Sequence, residues 1–262
     1  MSTYTTLSVE HDEHVARVTF DNLDERNALD MTAANELLEV ATALGDDPEV
    51  RCIVLTHDGD FFGTGANLTK LSGDESDAPY IRQLAGRIHE AVVQLHQTRT
   101  PIVGGVDGIA AGAGFSLTLA PDFVVISDEA RLEFAYPRIG LTGDGGATFF
   151  LPRLIGLRAA KELVLRDDPI SPEQAVELGL ATEVVSSAEF SDRLNEVASD
   201  VASGPTYALG GTMQLLTESF DRSLESQLAA ETDTIADAVK TTDFQRGLEA
   251  FFGTEEPTFV GN

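Results

Sequence analysis

The chain has 262 residues, 42% hydrophobic and 23% charged, enough for one large α/β domain or a main domain with a small appendage, with no apolar run long enough to span a bilayer. Against 44 Asp and Glu stand 17 Lys and Arg, a formal net charge of −27, which argues against a nucleic-acid partner because phosphate neutralisation needs a basic face. The acids are dispersed, so they read as a solvated surface suited to a salt-rich cytoplasm, where repulsion is screened within about 3 Å at molar ionic strength.

No signal or transit pattern occupies residues 1–10, and a cytoplasmic location is expected. The one cysteine, Cys52, lies in the apolar run RCIVLT, where a buried inert thiol is expected and an intrachain disulfide is excluded.

In chain order, residues 14–20 (HVARVTF) alternate as a half-buried strand. Asp30 is placed to cap a helix whose stripe is Leu37, Leu38, Ala41 and Leu44 and which Gly45 stops. Residues 50–56 form a second buried strand and deliver the chain into FFGTGANL (61–68), a small-residue turn. The polar stretch 72–79 reads as a mobile loop; the next helix carries Ile81, Leu84, Ala85, Ile88, Val92 and Leu95 on one face and ends before Pro101.

Residues 100–119, TPIVGGVDGIAAGAGFSLTL, read as a buried strand, a glycine-rich turn and the opening of an apolar helix. The first amides of a helix lack intrahelical partners, and Gly112, Ala113 and Gly114 let a ligand approach them. An anion or oxyanion site and plain close packing both fit. Residues 122–127 then form a strand, 131–134 a short one, and 140–148 (GLTGDGGAT) a third glycine-rich loop.

A helix follows over 158–165, and a capping box, Ser171-Pro172-Glu173-Gln174, opens another that Gly179 closes. A strand over 182–185, a helix over 190–201 and a break at Gly204-Pro205 come next. Beyond the break Leu215, Leu216, Leu224, Leu228, Ile235, Val239, Leu248 and Phe251 recur at helical spacing, an apolar tail suited to packing on a neighbouring subunit.

Several chemistries fail on these motifs. No G-x-G-x-x-G or Walker loop is present, and Ser116 lacks the second glycine of a nucleophile elbow. The histidines (11, 14, 57, 89 and 96) offer no triad partner in order, and His89 with His96 reads as an exposed or satisfied pair. What remains is a backbone-donor turn at Ala66, another at Ala113, and Asp144, set between Gly143 and Gly145 near Leu141, Phe149 and Phe150. Two converging amides would stabilise an enolate beside a thioester carbonyl, and one carboxylate could move its proton. Asp144 could equally cap the following helix.

The blocks NALD, VRCIVLT, FFGTGANL, TPIVGGVDGIAAGAG, GLTGDGGATFFLPRLIG, ISPEQAVELGLATEVV and DFQRGLEAFFGTEEPTF, in this order, resemble the crotonase, or enoyl-CoA hydratase/isomerase, superfamily over nearly the whole chain. The resemblance implies an α/β fold: a spiral of ββα turns over 1–203 and a helical trimerisation region over 204–262, assembled as a homotrimer or hexamer. It implies an acyl-CoA thioester substrate, with no metal or redox cofactor and CoA as part of the substrate. The amides of Ala66 and Ala113 would form the oxyanion hole, and Arg26, Ala28, Ala66, Asn67 and Leu68 would line the CoA site. Where hydratases carry two water-activating glutamates stand Ser116 and Arg138.

Asp144 matches the aspartate of a pattern similar to the enoyl-CoA isomerases of phenylacetate degradation. An isomerase is therefore expected. A hydratase and a catalytically silent acyl-CoA binder stand as alternatives. Thr254 and Glu255 occupy places where many relatives carry a Lys-Arg pair, so those side chains are not expected to hold the CoA phosphate.

Overall fold

The computed structural model describes residues 4–262; residues 1–3, part of the opening read as leader-free and of the 1–203 core, lie outside it. Strands β1 (Leu7–Asp12) and β2 (Val15–Phe20) form an antiparallel hairpin. The sequence pattern does not single out β1, whose outer half is exposed and which takes its regularity from the hydrogen bonds of β2. Helix α1 (Met31–Gly45) follows, and the Asp30 carboxylate accepts from the amides of Thr32 and Ala33 as the capping pattern requires.

From β3 (Cys52–His57) the chain repeats one path: a strand in a large sheet, a short strand in a second sheet, then a helix. The successive turns are β3, β4 (Phe61–Gly63) and α2 (Ala78–Gln97); β5 (Ile102–Val106), β6 (Ile109–Ala111) and α3 (Ala113–Leu117); β7 (Phe123–Ser127), β8 (Arg131–Glu133) and α4 (Ala147–Leu154). Helices α5 (Gly156–Arg166) and α6 (Pro172–Leu178) lead to β9 (Glu183–Val185). The large sheet has the order β1-β2-β3-β5-β7-β9, parallel from β2 onward, and the second is β4-β6-β8, all parallel. This is the α/β spiral of ββα turns.

Both faces of β3 are covered, and its period of two sorts its side chains. Ile53 and Leu55 enter the main core with residues of both sheets, α1 and α2; Cys52 and Val54 enter a second core under α7 (Ser187–Ser203), with Leu194 and Val197. Burial pushes the Cys52 thiol up to about 12, so it is an inert packing group.

Two expectations change. Residues 109–111 form a strand within what the pattern presents as one glycine turn, because three residues with two alanines are too short to display a period. Residues 72–77 of the stretch read as a loop form side-chain-closed turns, with the Asp77 carboxylate accepting from the amides of Ser72 (2.9 Å) and Gly73 (2.7 Å), and residues 78–79 already open α2. The capping box is present: Gln174 N donates to Ser171 Oγ and Ser171 N to Gln174 Oε1, and Gly179 closes α6 at φ 82. Among the described residues no helix is long and apolar enough to cross a membrane.

After the break come α8 (Thr206–Glu218), α9 (Leu224–Ala238) and α10 (Thr242–Phe252), and residues 253–262 follow without helix or strand. Buried Arg51 ties this region to β3, donating to the carbonyls of Gly204 (2.7 Å) and Phe259 (3.4 Å) and to Thr206 Oγ1 (3.2 Å). Asp243 at the start of α10 accepts from the amides of Val260 and Gly261, folding the end of the chain back. Charged hydrogen bonds contribute about 1.5–3 kcal/mol each, so Arg51→Met should lower the denaturation midpoint and speed proteolysis near Gly204. An unchanged midpoint and cleavage rate would rule out the clamp.

Candidate active site

Two turns supply free amides. Leu29 N donates to Gly65 O (2.7 Å) and Asn67 N to Leu29 O (2.8 Å), a parallel bridge that uses the groups on either side of Ala66. Ala66's own N–H and C=O therefore face the other way. The second turn passes through Gly112, at φ 56, into α3, whose first amide is that of Ala113. Neither the Ala66 nor the Ala113 N–H has a hydrogen-bond partner among the described residues.

Backbone contact brings these turns together. A Cβ added at Gly65, itself at φ 88, would lie 3.2 Å from Ala113 N, and one at Gly114 would lie 2.2 Å from Gly63 O. Close packing and an amide site, the two readings of this motif, thus coexist: the contact of glycines is what aligns the turns.

Ala66 and Ala113 line one cavity of about 370 Å³ with apolar walls from Leu68, Ile81, Leu84, Ala85, Ile88, Ile139 and Leu141. Part of the α2 stripe that reads as core is therefore cavity wall. Asp144 also lines it and is the only carboxylate that does so among the described residues.

Its Oδ1 lies 2.5 Å from His89 Nε2, with the aspartate side chain one-third exposed. The capping alternative fails: α4 begins behind Gly146 without a side-chain cap, and Ala147 N donates to the Asp144 main-chain carbonyl. Asp144 is spent on α2, not on α4.

His89, the partner of Asp144, is a residue that spacing motifs miss, because 55 residues separate the two. One signal was available: Ile81, Ala85 and His89 follow one another at steps of four along α2, so His89 continues the wall-forming row. His96 does not pair with it. Instead His96 packs edge-on against Phe149 and Phe150, with its pKa pushed down by burial and then by Arg153.

Of the CoA-site residues inferred by resemblance, Ala66 and Leu68 line the cavity; Arg26, Ala28 and Asn67 do not. Arg26 is exposed on a left-handed turn with its guanidinium 5.4 Å from the Phe61 ring centroid, and Ala28 is buried. Buried Asn67 is occupied in capping, accepting from Thr69 N and donating to Glu25. Thr254 and Glu255 are exposed on the terminal segment.

At the two hydratase-acid positions, Ser116 is fully buried and 2.9 Å from the Tyr136 hydroxyl, and Arg138 is ion-paired to Glu133 and, at 2.9 Å, to Asp167. Those bonds raise the Arg138 pKa, so it stays a cation.

The enoyl-CoA hydratase/isomerase family matches residues 10–262. The chain belongs to this family. Among its relatives is the 1,2-epoxyphenylacetyl-CoA isomerase of Escherichia coli (strain K12), 30% identical over 94% of this chain and 95% of that protein. Another is the 4-chlorobenzoyl coenzyme A dehalogenase-2 of an Arthrobacter species, 31% identical over 95% of this chain and 91% of that one.

The crystal structure of an enoyl-CoA hydratase/isomerase from Cupriavidus metallidurans CH34 superposes with a TM-score of 0.91 at 31% identity, covering 100% of this chain and 98% of that one. The protein is thus an enzyme of the enoyl-CoA hydratase/isomerase family, whose substrates are acyl-CoA thioesters. Because Gly65 abuts Ala113 N, Gly65→Ala should displace that amide and lower turnover about 100-fold while acyl-CoA affinity stays nearly constant. Unchanged turnover would remove this turn from catalysis.

Proposed function

We propose that this family member is an enoyl-CoA isomerase in which Asp144 carries the proton. The observation behind it is one carboxylate and two unpartnered amides lining the same apolar cavity. Asp144 takes the proton alpha to the thioester, and the electrons of that C–H bond move onto the carbonyl oxygen, held by the Ala66 and Ala113 N–H groups. The protonated carboxyl then returns the proton at the gamma carbon, leaving the double bond conjugated with the thioester. His89 orients the carboxylate. No cofactor beyond the CoA of the substrate enters this scheme. Ala66 and Leu68, which line the cavity, would form the ledge for the thioester end of CoA.

The Escherichia coli relative's name extends the scheme to ring-epoxide thioesters of phenylacetate degradation. Hydration is disfavoured because buried Ser116 and ion-paired Arg138 cannot activate water. A silent acyl-CoA binder would bind without turnover.

The His89–Asp144 pair favours one second reading, in line with the Arthrobacter relative's name. Asp144 would attack a halogen-bearing ring carbon and expel halide; water deprotonated by His89 would then hydrolyse the aryl ester and restore the carboxylate.

We further propose that α8–α10 are the assembly surface of a cytoplasmic homotrimer or hexamer working in high salt. Leu224 (72% exposed), Ile235 (68%) and Phe251 (81%) support this, as does the net charge of −27. In molar salt the mass by light scattering should be three or six chains, and a monomer would sink the assembly.

Asp144→Asn should slow conversion of 3-enoyl-CoA to 2-enoyl-CoA about 100- to 10,000-fold with thioester affinity retained. Near-wild-type turnover would remove Asp144 from the mechanism. Halide release from a 4-chlorobenzoyl-CoA probe, without bond migration, would select the second reading.

A further inference from the structure

Ser116 lies on α3, three residues beyond Ala113, and is fully buried. Its hydroxyl is 2.9 Å from that of Tyr136, and Tyr136 donates onward to the Asp144 main-chain carbonyl at 3.1 Å. Burial pushes the Tyr136 phenol up to about 12, so it remains a neutral donor. The Asp144 loop also presses directly on Ser116: a Cβ added at Gly145, at φ 60, would lie 2.9 Å from Ser116 Cβ.

We propose that Ser116 and Tyr136 are positioning residues that hold Asp144 in place relative to the Ala113 amide. This deepens the isomerase reading and rests on it. Asp144 has two anchors: its carboxylate is held from α2 by His89 and its main chain from α3 by the hydroxyl chain. Only the second anchor shares an element with an oxyanion donor. It therefore sets the spacing between base and hole.

The test uses the full chain with Tyr136→Phe, Ser116→Ala and both together. Tyr136→Phe keeps the ring and should leave the thermal midpoint nearly unchanged. It should lower kcat for 3-enoyl-CoA about 10- to 100-fold. KM should move less than about threefold. Amide exchange over 143–147 should accelerate. Ser116→Ala should act in the same direction, and the double variant should be no slower than Tyr136→Phe, because both break one chain.

Unchanged exchange, accelerated exchange with unchanged kcat, or independent multiplication of the two effects would overturn the proposal. Should the wild-type chain isomerise no enoyl-CoA, the functional reading falls and exchange alone decides the positioning: acceleration keeps it, and no change overturns it.

Discussion

Main chain against main chain, at Gly63 with Gly114 and at Gly65 with Ala113, is the contact on which the site depends. A single methyl group at Gly114 would sit 2.2 Å from a carbonyl oxygen, so the two turns can meet only where side chains are missing. The spiral makes that meeting possible. Because β4 and β6 are parallel neighbours in the small sheet, the segments that leave them emerge side by side at one edge. Each then opens with an amide that no strand or helix has used.

Asp144 completes the site from a third turn of the same spiral. It comes from the loop between β8 and α4, while its partner His89 comes from α2 and its main-chain anchor from Tyr136. A carboxylate held from both ends keeps its direction without a metal or a second acid beside it. Little of the chain's large negative charge faces the cavity: beside its apolar walls stand one aspartate, paired with an imidazole, and the cation Arg138. Arginines are spent on structure, Arg51 on the break before α8, Arg138 on Glu133 and Asp167, and Arg193 on Glu183 and Glu196. Arg26, which forms no ion pair among the described residues, is left over Phe61 beside the Leu29–Ala66 bridge.

The terminal helices show the complementary situation. Arg51 and Asp243 tie the break before α8 and the end of the chain down with buried hydrogen bonds, yet Leu224, Ile235, Phe251 and Phe252 stay exposed. The region is thus anchored at its base and carries exposed apolar side chains.

Local chemistry was enough to determine the elements whose signals are local. Asp30 at an N-terminus, the Ser171 box, Gly179 and the alternation of 14–20 each act within a few residues, so they are readable in order along the chain. The small-residue turns at Ala66 and Ala113 and the isolated acid at 144 were visible for the same reason. Only the tertiary structure decided what they do together. The strand at 109–111 depends on neighbours in another sheet, and whether Asp144 caps a helix or meets His89 depends on a residue 55 positions away. Likewise, whether the α2 stripe is core or cavity wall depends on what faces it. Hydrogen bonding and burial across such distances leave no periodicity in the sequence, because each half of the contact is compatible with many partners until the spiral closes.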